Sequence, residues 1–169
     1  MKRIITTLAL SLLIALSSMA QGYKRSIGAV LGMTNGVSYK RFISNNVAIQ
    51  SDLGFGINYA AFSQFNATWT LNCWDFSISP QIMYQGNITG NLYAFGGAGL
   101  TLGEINNYSS NACIGGKFGV NAIMGLEYQL PAPLTLGLDF RPGYGLFFDQ
   151  DYNINAFDWK LVVALRYTL

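Results

Sequence analysis

The chain has 169 residues, of which 51% are hydrophobic, 14% aromatic and 11% charged, and its formal net charge is +2. This length suits a single domain, and the near-neutral charge argues against a surface that binds nucleic acid or another polyanion. The sequence contains no His, so it lacks the usual general base and the commonest metal ligand. We therefore expect a non-enzymatic protein without a metal or another cofactor.

The first twenty residues have the pattern of a secretory signal peptide. Two basic residues precede an apolar core from Ile4 to Leu16, and the small residues Ser18 and Ala20 mark a cleavage site. The core is shorter than the roughly 20 residues that a membrane-spanning helix needs. We predict a Sec-type signal peptide at residues 1–20 and a mature domain at residues 21–169, with an uncleaved N-terminal anchor as the alternative.

The mature domain combines many aromatic residues and glycines with few charges. Removal of the two basic residues of the signal peptide leaves eight basic residues against eight acidic ones, a net charge of zero. No remaining apolar run approaches the length of a membrane helix. An exported chain of this kind is either a soluble β-protein with a large core or a barrel whose outer face contacts lipid.

Alternation of apolar residues with small or polar residues predicts β-strands throughout the mature domain. Residues 118–129 show it clearly, because Phe118, Val120 and Leu126 fall on one face while Gly119 and Glu127 fall on the other. The predicted strands are Ser26–Met33, Val37–Phe42, Val47–Gly56, Trp74–Gln85, Leu92–Gly103, Phe118–Gln129, Leu134–Arg141 and Asp158–Leu169. This pattern predicts an all-β fold, a closed antiparallel eight-stranded transmembrane up-and-down barrel.

The predicted connections differ in length between the two ends of the barrel. The short ones are Ser44–Asn46, Thr89–Asn91 and Pro131–Pro133, and the long ones are Asn58–Cys73, Glu104–Lys117 and Gly145–Phe157. Outer-membrane barrels have short periplasmic turns and long external loops, whereas a soluble sandwich has no reason to collect its long loops at one end.

Aromatic residues lie near both ends of several predicted strands. At about 3.3 Å per residue and a tilt near 40°, a ten-residue separation spans roughly 25 Å, the height of the apolar band between aromatic girdles. The predicted girdle residues are Trp74, Phe118 and Trp159 toward the long loops and Tyr84, Tyr128 and Tyr167 toward the short turns.

Three stretches resemble the small eight-stranded outer-membrane barrels of Gram-negative bacteria: Gly36–Phe42, Ala122–Tyr128 and Leu136–Pro142. The resemblance covers essentially all of Tyr23–Leu169. The last strand, Leu161–Leu169, is similar to the terminal segment that such proteins present to the barrel-assembly machinery, but it ends in Leu rather than Phe. The resemblance implies an outer-membrane location, contact with outer-membrane lipid and assembly by that machinery. It does not imply one activity, because members of this class differ in function.

Charged residues on the inward-facing positions form the candidate site. They are Lys40, Asp52, Asp75, Glu127, Asp139, Arg141, Lys160 and Arg166. An eight-stranded barrel has room inside for side chains and little more, and buried charges need partners. The equal numbers of acidic and basic residues therefore predict a neutralising network that closes the lumen, with a small gated conduit as the alternative.

Two other features have structural and functional interpretations. Cys73 and Cys113 are the only cysteines, and an oxidising compartment allows them to pair; the alternatives are two reduced thiols or pairing with another molecule. Asp149, Asp151 and Asn153 imitate the start of a calcium loop, but Ile154 follows where that loop requires Gly. We therefore expect no calcium site.

The sequence predicts location better than activity. The leading hypothesis is a monomeric integral outer-membrane protein with a structural or surface-interaction role, whose external loops contact an extracellular ligand or surface partner. One alternative is a channel for small solutes or hydrophobic compounds. The other is a secreted soluble β-barrel that binds a ligand inside.

Overall fold

The computed structural model describes residues 22–64, 67–107, 113–148 and 153–169, and within them the side chains of residues 22–56, 75–104, 115–146, 157 and 159–169. Eight strands form one closed barrel in which each strand is antiparallel to its neighbours and β8 pairs with β1. The strands are β1 (Arg25–Gly32), β2 (Asn35–Phe42), β3 (Val47–Gln64), β4 (Ala67–Thr89), β5 (Leu92–Asn107), β6 (Cys113–Gln129), β7 (Leu134–Phe148) and β8 (Asn153–Thr168). The predicted fold class is confirmed.

The two ends of the barrel differ. At the terminus end, β1 begins and β8 ends, and the backbone N–H of Leu169 donates to the carbonyl of Arg25 at 2.8 Å. The connections from β2 to β3, β4 to β5 and β6 to β7 also lie at this end. At the opposite end, which we call the hairpin end, β3–β4, β5–β6 and β7–β8 extend as long hairpins. No helix in the described ranges is long and apolar enough to cross a membrane.

The long connections predicted from the sequence are largely strand. Cross-strand pairs continue from Asn58 with Cys73 to Gln64 with Ala67, and the predicted loops Glu104–Lys117 and Gly145–Phe157 are likewise strand over most of their length. The loop prediction is therefore wrong in extent. In the second and third of these loops, polar residues interrupt the apolar alternation, but backbone pairing needs no such alternation.

The barrel wall has unequal height around its circumference. β1 and β2 are eight residues long, whereas β3 to β8 are 15 to 23 residues long. The hairpins on β3 to β8 therefore rise above the β1–β2 turn. This leaves a notch in the wall at the hairpin end.

Apolar side chains cover the outside of the barrel. On β6, Val120 is 53% and Leu126 is 45% exposed, whereas the inward-facing Ile123 and Glu127 are 1% and 0% exposed. Among the side chains that the structure describes, the inward-facing apolar residues form two small clusters. One comprises Ala48, Met83, Phe95 and Ile123 with Phe42, and the other Val30, Val162 and Ala164. A soluble protein instead buries most of its large apolar residues and leaves polar residues on the surface.

Close approach of neighbouring strands requires glycine at Gly97. A Cβ there would lie 2.1 Å from the carbonyl oxygen of Ile82 and 2.7 Å from Cα of Met83, whereas a Cβ on the outward-facing Gly96 would meet no atom closer than 3.9 Å. The two glycines are adjacent on β5 and neither has a positive φ. They therefore form a matched pair.

We expect Gly97→Ala to lower the free energy of unfolding by about 1–3 kcal/mol, because the backbone must shift to admit the new methyl group. Gly96→Ala should change it by less than about 1 kcal/mol, because the site is open and the unfolded chain loses entropy. Denaturant titration of both variants measures the difference. Equal costs would contradict the inward assignment of Gly97.

Candidate functional site: the barrel lumen

The carboxylate of Glu127 on β6 is the centre of a buried cluster near the terminus end. Lys40 Nζ lies 3.0 Å and Arg166 Nη1 3.3 Å from Glu127 Oε2. Gln85 Nε2 and the hydroxyl of Tyr23 donate to Glu127 Oε1 at 2.9 Å and 2.6 Å. We call these five residues the Glu127 cluster; they come from β2, β4, β6, β8 and the segment before β1, so barrel closure is what assembles them.

The two cations of the cluster have further partners. Lys40 Nζ donates to Gln85 Oε1 and lies 5.2 Å from the centre of the Phe42 ring, a cation–π distance. Arg166 donates to Ser38 Oγ and to Gln50 Oε1, each at 3.0 Å. Both cations are fully buried, so these contacts replace the water that an isolated charge would need.

Tyr23 lies inside the barrel at the terminus end of the lumen. It precedes β1, yet its side chain is buried and its ring meets Phe42 edge-on with the centroids 5.3 Å apart. Burial and the Glu127 carboxylate raise the pKa of the Tyr23 hydroxyl above its ordinary value, so this hydroxyl stays protonated and donates. The sequence pattern did not indicate this role, because Tyr23 falls outside every predicted strand.

A second cluster lies further toward the hairpin end, around Arg141 on β7. Its Nη1 is 2.5 Å from Asp52 Oδ2 and its Nη2 is 2.5 Å from Asp139 Oδ2. Gln50 Nε2 donates to both oxygens of Asp52, and Arg166 Nη2 lies 3.7 Å from Asp139 Oδ2. Arg166 and Gln50 therefore connect this cluster to the Glu127 cluster.

A third cluster surrounds Asp75 on β4. Lys117 Nζ and Lys160 Nζ each lie 3.5 Å from Asp75 Oδ2. Lys117 was missed in the sequence, where the pattern placed it at the end of a loop; the extended β6 turns its side chain inward. The structure thus places all eight predicted lumen charges inside the barrel and adds Lys117 to them.

A cavity of about 40 Å³ lies between the second and third clusters. Its lining includes Thr34, Gln81, Asn121, Arg141, Lys117 and Lys160. Glycines at positions 54, 119, 143 and 145 contribute backbone alone to its wall, which leaves the space open. Below it, Met83, Ile123 and the Glu127 cluster fill the lumen.

The predicted girdle residues lie on the outer face where their side chains are described. Phe118 and Trp159 are 39% and 50% exposed, Tyr128 and Tyr167 are 45% and 49% exposed, and Tyr84 is half-buried. The side chain of Trp74 lies outside the described residues.

The remaining sequence predictions fall at the strand tips. Cys73 is on β4 and Cys113 is on β6, with β5 between them, but their side chains lie outside the described part, so the disulfide stays a prediction. Asp149 and Asp151 also lie outside the described residues. Within the described part, no group of three His, Cys, Asp or Glu side chains could hold a metal ion.

The charged groups of the described lumen are paired with one another, and with Lys117 they comprise five cations and four carboxylates. The arrangement is that of an ion-paired interior packed between strands, in which each carboxylate faces at least one cation. Chemically it can hold strands together, exclude solutes and hydrogen-bond a small guest in the cavity.

Comparison with solved structures gives the same fold. Neisserial surface protein A (NspA) is 16% identical, covers 90% of this chain and 100% of its own, and has a TM-score of 0.62. Ail, the attachment invasion locus protein of Yersinia pestis, is 16% identical, covers 88% of this chain and 100% of its own, and has a TM-score of 0.38. No protein-family model and no curated protein matches the sequence. The likeness to NspA and the closed eight-stranded sheet together show that the chain has the fold of a small eight-stranded outer-membrane β-barrel.

We expect Glu127→Ala to lower the free energy of unfolding by about 3–5 kcal/mol, because it leaves Lys40 and Arg166 buried without their shared anion. Glu104→Ala, which removes an exposed carboxylate from the outer face of β5, should have little effect. Denaturant titration in detergent or lipid compares the two. A cost for Glu127→Ala no larger than that for Glu104→Ala would show that the cluster does not stabilise the barrel.

Proposed function

We propose that this chain is a non-enzymatic integral protein of the outer membrane that presents its hairpin end to the outside and binds extracellular partners there. The observation that carries the proposal is the protrusion of β3 to β8 above the β1–β2 turn, on a barrel whose outer wall is apolar. An apolar wall suits lipid, and strands that protrude beyond it lie in the water outside the membrane.

The apolar wall supports the membrane location. Its exposed residues include Ile82, Met124, Leu138 and Val163, each between 43% and 54% exposed, and they come from four different strands. A continuous surface of this kind in water would promote association, whereas in a bilayer it is solvated by acyl chains. Export through the signal peptide and insertion by the barrel-assembly machinery complete this proposal.

The free strand edges support the role in binding. Within the described residues, β3 beyond Phe55 pairs with β4 alone, and β8 before Leu161 pairs with β7 alone. Each edge therefore presents a row of backbone N–H and C=O groups on the side that faces away from its paired strand. Such edges accept an extended segment of another protein as an additional strand.

The packed terminus end supports a lumen that does not conduct. Lys40, Gln85, Glu127 and Arg166 are all fully buried and joined by hydrogen bonds. A solute would have to separate these charges in order to pass. This favours the surface-interaction role over the channel.

Arginine substitutions test the membrane location. Leu126 and Leu138 pair across β6 and β7 on the outer face, so Leu126→Arg or Leu138→Arg should lower the free energy of unfolding in lipid by about 2–4 kcal/mol. Gln129→Arg, on the inward-facing positions of β6, should be milder. Unfolding titrations in bilayer vesicles measure all three, and equal costs on both faces would argue for a soluble barrel.

A trimmed barrel tests the binding role. Because Gly56 pairs with Asp75, residues 57–74 can be replaced by an Asn-Gly turn, while the matched control replaces only residues 65–66. Cells expressing the full chain or the control should adhere to at least one of a panel of immobilised extracellular proteins, and the trimmed barrel should lower that adhesion at least tenfold. Equal adhesion with and without the hairpin, including none in either case, would contradict the proposed role.

Planar-bilayer recording tests the closed lumen. Purified protein should give no openings above the baseline, because the Glu127 cluster leaves no continuous water path, while an open porin in the same bilayer serves as the positive control. Reproducible openings would favour the channel instead.

A further inference from the structure

Two carboxamide side chains in the lumen have polar atoms without partners. Gln81 is 3% exposed, yet neither its Nε2 nor its Oε1 makes a hydrogen bond. Asn121 Oδ1 is also buried without a partner. Buried amide groups are nearly always hydrogen-bonded, so an unpartnered pair facing one space indicates that a polar guest occupies it.

The two carboxamides face the same cavity. Gln81 on β4 pairs with Gly99 on β5, and Gly99 pairs with Asn121 on β6. Gly99 has no side chain to fill the space between them, and a Cβ there would lie 2.5 Å from Gln81 Cγ. Gln81 and Asn121 both line the cavity of about 40 Å³.

The charged groups around this cavity are already engaged. Arg141 binds Asp52 and Asp139 through its Nη atoms, and the two lysines at the rim bind Asp75. Of these groups, Arg141 Nε is a buried donor without a partner. Asp75 Oδ1 and Asp139 Oδ1 also lack hydrogen-bond partners, but neither aspartate lines the cavity. The unpartnered groups on lining residues are therefore the Gln81 and Asn121 carboxamides, the Thr34 hydroxyl and one guanidinium N–H.

We propose that this cavity is a binding site for a small uncharged amide. The carbonyl of such a solute accepts from Gln81 Nε2 and Arg141 Nε, and its NH₂ group donates to Gln81 Oε1 and Asn121 Oδ1. An amide faces another amide through paired N–H···O bonds, so the match holds for either orientation of the Gln81 carboxamide.

The volume of the cavity and its route of entry suit a small amide. One water needs roughly 10–15 Å³ of comparable volume, so about 40 Å³ holds a solute of three or four non-hydrogen atoms, such as urea or acetamide. The solute enters from the hairpin end, because Met83, Ile123 and the Glu127 cluster fill the lumen on the other side.

The test is a titration of the full chain, folded in detergent micelles and labelled with ¹³C and ¹⁵N, with acetamide up to about 100 mM. We expect saturable shifts of the Gln81 side-chain amide resonances with a Kd on the order of 1–10 mM, as suits so small a ligand. Shifts that grow linearly without saturation would show that the cavity holds water alone and would overturn the proposal.

Three variants locate the binding. Gln81→Leu keeps the approximate volume but removes the amide, and it should weaken acetamide binding at least tenfold; Asn121→Leu should weaken it several-fold and serves if Gln81→Leu does not fold. For these variants the readout is the backbone resonance of Gly99. Asn87→Ala removes a carboxamide that bonds the Gly90 carbonyl at the terminus end and should leave binding unchanged. Equal affinity in all three variants would place the acetamide elsewhere.

Acetate tests the neutral character of the site. It has the shape of acetamide but carries a negative charge and lacks the NH₂ donors. We expect it to bind at least tenfold more weakly, because it cannot donate to Gln81 Oε1 and Asn121 Oδ1 and because the cations that line the cavity are already paired with aspartates. Tighter binding of acetate than of acetamide would overturn the assignment to amides.

Discussion

Closure of the sheet between β1 and β8 is the constraint on which the rest of this molecule depends. Seven pairs from Ser26 with Thr168 to Gly32 with Val162 join the first strand to the last. Once the sheet is closed, every second residue must point into a lumen that admits little besides side chains. Charged side chains on that face are shielded from water, so they are stable only when they pair with one another.

The ion pairs follow from closure rather than from closeness in the chain. Lys40 and Glu127 are 87 positions apart, and Tyr23 and Glu127 are 104 apart. Neither pair can form unless the intervening strands are in register. The Glu127 cluster therefore stabilises the closed barrel, because its members meet only when the strands that carry them are in register.

Side-chain size divides the lumen into two halves. Toward the terminus end the inward positions carry Arg166, Lys40, Met83 and Ile123, the largest of the fully buried side chains. Toward the hairpin end glycines line the wall and leave the cavity. The same backbone geometry thus gives a densely packed region at one end and a small polar cavity toward the other. Which of the two forms depends on the residues at the inward positions.

Alternation in the sequence was sufficient to predict that the eight charged residues of the candidate site face the lumen, because a strand has a side-chain period of two. It could not predict partners, since the pairing of Lys40 with Glu127 depends on the stagger between strands that are distant in sequence. Lys117 and Tyr23 were missed for a different reason. Both lie where the apolar half of the alternation stops, although the chain still directs their side chains inward.

In the proposed outer-membrane location, the unequal strand lengths place the edge of the bilayer on this barrel. Unpaired backbone groups are tolerated in water but not in hydrocarbon, so the membrane must end where β8 loses its partner on the β1 side. That point is Leu161, whose carbonyl accepts from Met33 N–H at 3.2 Å. Trp159, an exposed indole of the kind found in aromatic girdles, lies two residues beyond. Tyr167 lies on the same strand, eight residues after Trp159 and near the terminus end. For a tilted strand this separation is roughly 20 Å along the membrane normal. Backbone pairing and aromatic placement thus assign the same boundary independently, and everything above it is free to serve as a surface in water.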